Sequence, residues 1–239
     1  METHIYHTVN CGVYFENGDT GIFIDGLFDG LVYGYSKTPG EVLDACFHKS
    51  PPFQNLKALL FTHKHFDHFN ENMLDIIRNQ NEEMLVYAPA YEKSNINPQV
   101  VREDVVYFKV GPFRIYAIRT MHDGDASLRA EPHVSFVINT DDETFFFAGD
   151  ALFRTGEPEK IESYCDNWVD YAFINPYHTM HSVNRALLRK LDPMKVALIH
   201  KSFKEDDTYN MYKLFEIALK HYPEDLPELI QPGFNTWIQ

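Results

Sequence analysis

One hexapeptide constrains this chain more than any other segment: His63-Lys64-His65-Phe66-Asp67-His68, which directly follows the apolar run Lys57 to Thr62 (KALLFT). A run that apolar suits a strand buried on both faces. Its end then carries four ligand-type side chains within six residues. In extended backbone His63 and His65 point to the same side and can reach one cation, while a turn at Phe66 lets Asp67 and His68 face a neighbouring one. Imidazole and carboxylate without thiolate favour zinc, with manganese or iron as acceptable occupants. Asn70 reads as the N-cap of a following helix, and Glu71 in its first turn complements the helix dipole.

The rest of the chain supplies a scaffold for such a loop. With 239 residues, 44% of them hydrophobic, the chain is long enough for a packed core. No repeat, low-complexity tract or linker marks a boundary, so residues 1–239 are expected to form one domain. No apolar run approaches the length that spans a bilayer and no early apolar stretch resembles a leader, which predicts a cytoplasmic protein without a membrane partner. Cys11, Cys46 and Cys165 are odd in number and form no CxxC pair, so they read as core thiols. A net charge of −14 repels polyanions and disfavours long nucleic acid. A small-molecule substrate is expected instead, and a homo-oligomer is compatible with the composition.

Strand patterns are read at Ile5 to Phe15, Gly21 to Asp25, Lys57 to Thr62, Met84 to Ala88, Val105 to Val110, Phe113 to Thr120, His133 to Asn139, Thr144 to Ala148, Tyr171 to Asn175 and Lys195 to His200. Helical spacing appears over Gly40 to His48, Glu71 to Asn79, Val183 to Leu191 and Thr208 to His221. The late βαβα order predicts an α/β (α+β mixed) fold of two mixed sheets with helices outside.

On the motif HxHxDH after a buried strand, the chain resembles the metallo-β-lactamase fold superfamily of metal-dependent hydrolases. The resemblance implies an αββα sandwich with a dinuclear metal site held by loops at strand ends. It also implies a downstream lone His, an Asp and a final His. Asp150 closes the run TFFFAGD, where Gly149 permits a tight backbone, and His200 ends KVALIH. His122 ends FRIYAIRTMH and fits the lone histidine, with His133 at the start of the next strand as its competitor. By resemblance, His63, His65 and His122 would hold the first metal, Asp67, His68 and His200 the second, with Asp150 between them. Such a pair brings the pKa of a shared water towards neutrality and stabilises developing negative charge, which is metal-assisted hydrolysis. In this reading Asp67 and Asp150 are catalytic as well as metal-binding. The family often has Gly three residues after the motif's last His, where this chain has Glu71.

For the substrate, His178-Thr179-Met180-His181-Ser182 is similar to the region where the phosphodiesterase branch, including tRNA 3′-processing enzymes, places a His that protonates a leaving alkoxide. His181 would be that acid, and a small phosphodiester or phosphorylated compound the substrate. The absence of a long basic insertion disfavours tRNA. Similarity to small enzymes related to ascorbate-6-phosphate lactonase gives the alternative of lactone, ester or thioester hydrolysis, and a non-catalytic, metal-stabilised binding protein is a third reading. Candidate substrate contacts are His133, His178, Lys201, Arg154 and the aromatic residues Phe28, Tyr33 and Tyr35 of the loop Gly26 to Gly40.

Overall fold

The computed structural model describes residues 1–30, 34–96 and 104–238. In chain order these form β1 (His4–His7), β2 (Val13–Asn17), β3 (Thr20–Ile24), α1 (Gly40–His48), β4 (Leu56–Leu60), α2 (Glu71–Gln80) and β5 (Leu85–Tyr87). There follow β6 (Val105–Val110), β7 (Phe113–His122), β8 (His133–Asn139), β9 (Thr144–Phe147), β10 (Ala151–Leu152) and α3 (Glu157–Glu162). The chain continues through β11 (Val169–Ile174), α4 (Pro176–Met180), α5 (Ser182–Leu191), β12 (Lys195–Leu198), α6 (Met211–Lys220), β13 (Glu228–Ile230) and β14 (Thr236–Ile238). Two compact units result: Met1–Val100 with Lys201–Met211 and Pro232–Gln239, and Val101–His200 with Tyr212–Gln231.

The first unit holds a sheet of order β14-β1-β2-β3-β4-β5. Its first three pairings are antiparallel, and β3-β4 and β4-β5 are parallel. Parallel neighbours need a crossover, which α1 and α2 provide. Phe53 packs at 4.7 Å from the Tyr14 ring, 5.0 Å from Phe23 and 5.9 Å from Tyr6, joining the strands to Val42 and Cys46 of α1 and Leu74 and Ile77 of α2. On the other face Phe15, Ile22, Ile24 and Leu60 are also fully buried, as the apolar KALLFT pattern requires. Asn70 caps α2: its side chain accepts the Met73 N–H at 2.9 Å.

The second unit repeats this plan with the order β10-β7-β8-β9-β11-β12-β13, β6 also pairing with β7. The β7-β8 and β8-β9 pairings are antiparallel, then β9-β11, β11-β12 and β12-β13 run parallel across α3, α4 with α5, and α6. Both sheets are therefore mixed and both carry helical crossovers, the α/β architecture expected from the sequence. No helix among the described residues is long and apolar enough to cross a membrane.

The structure corrects several expectations. Ile5 to Phe15 is two strands, because Asn10 takes a left-handed φ of +53° and the Gly12 carbonyl accepts the Thr8 N–H at 2.9 Å, closing a turn. The last helix begins at Met211 rather than Thr208, where the Asp207 carboxylate accepts the Met211 N–H at 2.7 Å. Short elements were missed: β10, α3, α4, β13 and β14 are too brief to show a period. Cys11 and Cys46 are buried, but Cys165 is only half-buried, just beyond α3.

Phe53→Ala should lower stability by about 3 to 5 kcal/mol, since three rings lose a shared partner and the site cannot collapse fully. Urea unfolding measures it, and a loss below 1 kcal/mol, about a quarter of that range, would contradict this account of the core.

Candidate metal centre

In the first unit, the ligand-type side chains stand at the C-terminal ends of parallel strands, where open α/β sheets place their sites. His63 and His65 follow β4 in extended backbone and turn their rings to one side, with centroids 4.5 Å apart. The backbone then folds over: the His65 carbonyl accepts the N–H groups of His68 at 3.0 Å and Phe69 at 2.9 Å. This turn brings the His68 ring to 4.1 Å from His63 and its Nε2 to 3.3 Å from Asp67 Oδ2.

A residue the sequence reading left unassigned organises this cluster. Asp25, just after β3, has a fully buried carboxylate. Its Oδ1 accepts the Thr62 N–H at 2.8 Å, and its Oδ2 accepts the Thr62 hydroxyl at 2.6 Å and His68 Nδ1–H at 2.9 Å. Having given its proton to Asp25, the Thr62 hydroxyl accepts His63 Nδ1–H at 2.9 Å. Both imidazoles thus hold their proton on Nδ1 and present the Nε2 lone pair, the form a metal takes. The Cys11 sulfur lies within 4.8 Å of the ligand nitrogen of His68, so a buried thiol borders this cluster.

The second unit builds a matching set. Gly149, with a φ of +61°, turns the chain after β9 so that the Asp150 carboxylate emerges. Asn175 Nδ2 donates to Asp150 Oδ1 at 2.9 Å, leaving Oδ2 to face His200 Nε2 at 3.4 Å and His122 Nε2 at 3.8 Å. His122 Nδ1–H donates to the Asp123 carbonyl, so its Nε2 also presents a lone pair. A carboxylate oxygen and an imidazole lone pair turned towards each other repel unless a cation lies with them, so the donor set fits a metal ion in chemistry and tautomer.

The competitor histidine is occupied otherwise. His133 Nε2 accepts the Asp150 N–H at 3.0 Å and its Nδ1 donates to Thr120 Oγ1 at 2.8 Å, so both ring nitrogens are committed. His178 is buried, donates from Nδ1 to Asn175 Oδ1 at 2.7 Å, and is pushed down to about 4 by burial, which keeps it neutral at pH 7. His181, by contrast, is 46% exposed and holds its Nε2 3.2 Å from Asp123 Oδ2. That pair, with Asp150, Leu128, Tyr177 and Met180, lines a cavity of about 550 Å³.

Among the described residues, the remaining substrate candidates are not part of this cavity's lining. Lys201 sits 5.7 Å over the Phe234 ring, its ammonium pKa lowered by burial. Tyr35 packs against Phe28 and Tyr209, at 6.4 and 5.6 Å. Tyr33 lies outside the described residues. Arg154 lines a different, charged cavity of about 410 Å³ with Arg119, Arg129 and Lys160. The signals for Asp25, Asp123 and Asn175 were present only as polar residues next to strand ends.

A mixed α/β scaffold that delivers tautomer-fixed imidazoles and carboxylates from strand ends is suited to divalent-metal chemistry. The chain belongs to the family described as Beta-lactamase superfamily domain, whose pattern matches residues 22–209. None of the curated proteins compared with it matches. Among solved structures it is similar to CmlA, a diiron β-hydroxylase from Streptomyces venezuelae (TM-score 0.62, 15% identity, 100% of this chain and 54% of that one). It is also similar to an isothiocyanate hydrolase from Delia radicum gut bacteria (TM-score 0.66, 16% identity, 99% and 98% covered). A third is the human short-form tRNase Z (TM-score 0.59, 12% identity, 100% and 99% covered). The chain spans about half the length of CmlA. These likenesses establish the metallo-β-lactamase fold.

Asp25→Asn should weaken zinc binding by about 10- to 100-fold, because the amide cannot accept from Thr62 and His68 at once without presenting a donor to one of them. Competition against a chromophoric chelator reads this out, and an unchanged zinc affinity would remove Asp25 from its orienting role.

Proposed function

We propose that the chain is a dinuclear metal-dependent hydrolase of a small phosphodiester, with His181 delivering the proton to the leaving alkoxide. The observation behind this reading is the His181–Asp123 pair, 3.2 Å apart, on the wall of the cavity that also holds Asp150. The proposed ligands are those of the family pattern: His63, His65 and His122 for one ion, Asp67, His68 and His200 for the other, and Asp150 for both. Zinc is the preferred ion, since imidazole and carboxylate suit it and the Cys11 thiol beside His68 adds a soft donor. When bound, the ions supply an activated water and Lewis-acid stabilisation of the charge that develops on the substrate.

The chain's own residues do the rest. Asn175 fixes one Asp150 oxygen so that the other keeps a single orientation. Asp123 accepts from His181 Nε2–H, which orients the ring and leaves Nδ1 as the atom that holds and hands over the proton. An alkoxide leaves poorly without that proton, so the pair has its use where the leaving group is an unactivated alcohol. The charge of −14 supports a small diester over a long nucleic acid. A second reading, ester or lactone hydrolysis, is favoured by the cavity lining, which includes no Lys or Arg among the described residues.

Steady-state turnover by zinc- or manganese-loaded protein tests the proposal. An alkyl phosphodiester should be hydrolysed, the activity should vanish in Asp150→Ala, and His181→Ala should lower kcat by about 10²-fold or more, the contribution of a positioned acid. Cleavage of esters or lactones with no diester turnover would replace the phosphodiester reading with the second one.

A further inference from the structure

The cavity beside His181 is lined by polar residues and by the apolar side chains of Leu128, Tyr177 and Met180, whose positions the local structure fixes. Leu128 stands on the loop after β7. There the Asp125 carboxylate accepts from the Ser127 N–H at 2.9 Å, the Ser127 hydroxyl at 2.6 Å and the Leu128 N–H at 3.2 Å. That turn leads into the helical turn Leu128–Ala130. The Leu128 side chain lies directly on Gly124, whose φ is +120°: a Cβ there would come within 2.5 Å of Leu128 Cδ1. Gly124 therefore combines a left-handed backbone with the space that lets Leu128 face the cavity. Tyr177 and Met180 come from α4, whose start is capped by the Asn175 side chain, which accepts the His178 N–H at 3.3 Å. Asn175 is also the residue that orients Asp150, so the apolar side and the metal-facing oxygen share one support.

From this arrangement we infer that the group occupying the cavity is an uncharged, apolar leaving alcohol about the size of an aromatic ring system. The inference rests on the hydrolase reading, because it is His181 on the same wall that makes this the leaving-group side. Leu128, Tyr177 and Met180 offer dispersion contacts and area removed from water. No Lys or Arg lines the space among the described residues, and its two carboxylates are engaged, Asp123 with His181 and Asp150 as a proposed metal ligand. A leaving group bearing its own phosphate or carboxylate would find no ammonium or guanidinium group there to pair with. An aromatic or branched hydrocarbon body fits within about 550 Å³ and needs no such partner. Leu128, Tyr177 and Met180 are thus assigned as specificity-determining residues.

The test has a binding arm and a turnover arm, both on metal-loaded protein. In the first, 2-naphthylmethanol and glycerol are titrated calorimetrically. In the second, kcat/KM is compared for methyl 2-naphthylmethyl phosphate and methyl 2,3-dihydroxypropyl phosphate, which share the reacting phosphorus. Naphthylmethanol should bind and glycerol should not, and the naphthylmethyl diester should be preferred by about 10-fold or more, the scale on which a hydrophobic pocket discriminates. Leu128→Asp should collapse that preference and weaken naphthylmethanol binding by about 10-fold. Met180→Asp gives an independent variant should the first not fold, with folding checked by circular dichroism and metal content. No naphthylmethanol binding, or a ratio at or below one, overturns the inference. If neither diester is cleaved yet naphthylmethanol binds in a Leu128-dependent way, the apolar subsite stands and the phosphodiester reading falls.

Discussion

The buried carboxylate of Asp25 holds the first unit's histidine cluster together. One side chain accepts from Thr62 twice and from His68 once, and through Thr62 it reaches His63. A carboxylate with no solvent exposure is costly unless its oxygens are filled with donors, and these are. The consequence passes outward: each imidazole has its proton drawn to the back of the site, so the atom facing forward is a lone pair. The second unit reaches the same end by different means, with the Asp123 carbonyl behind His122 and Asn175 behind Asp150. In each unit the ligand side chains are set from behind, by groups other than the proposed ligands.

Sheet topology explains why these supports are where they are. Asp25 follows β3, His63 follows β4, Asp150 follows β9, Asn175 follows β11 and His200 follows β12, and each of these strands has a parallel neighbour. Within each unit's sheet, parallel strands joined by helical crossovers end at one edge, so residues of that unit far apart in sequence arrive together without long loops. The backbone strain at that edge is local. His200 takes a φ of +73° and Asp25 one of +49°, conformations that side chains adopt only where the surroundings hold them.

How much of this could be read from the chain itself follows from what is local. The hexapeptide from His63 to His68 was legible because strand, ligand spacing, turn and cap are adjacent in sequence. The support for it was not: Asp25 shares no motif with His68, and only the β3-β4 pairing brings the two together. The same holds for the pairing of Asp123 with His181 and for the bond from Asn175 to Asp150. Strand existence was mostly recoverable from apolar runs, while the turn at Asn10 was hidden because the alternation of β1 and β2 continues through it. Short edge strands such as β13 and β14 draw their stability from a neighbour rather than from their own pattern.

The charge of the chain bears on how an anion is selected here. A net −14 disfavours approach of any polyanion, and the basic residues Arg119, Arg129, Arg154 and Lys160 are gathered on a separate cavity. A substrate with a single negative charge needs no arginine clamp if the proposed divalent ions neutralise it at the reacting atom. Recognition must then come from what the ions do not touch, because every monoanionic ester offers them the same oxygens. Uniform attraction of that kind sets affinity without choosing among substrates, and only contacts that differ between competitors discriminate. On this chain those contacts are the apolar ones of Leu128, Tyr177 and Met180, placed where a leaving group would lie beside the proton donor.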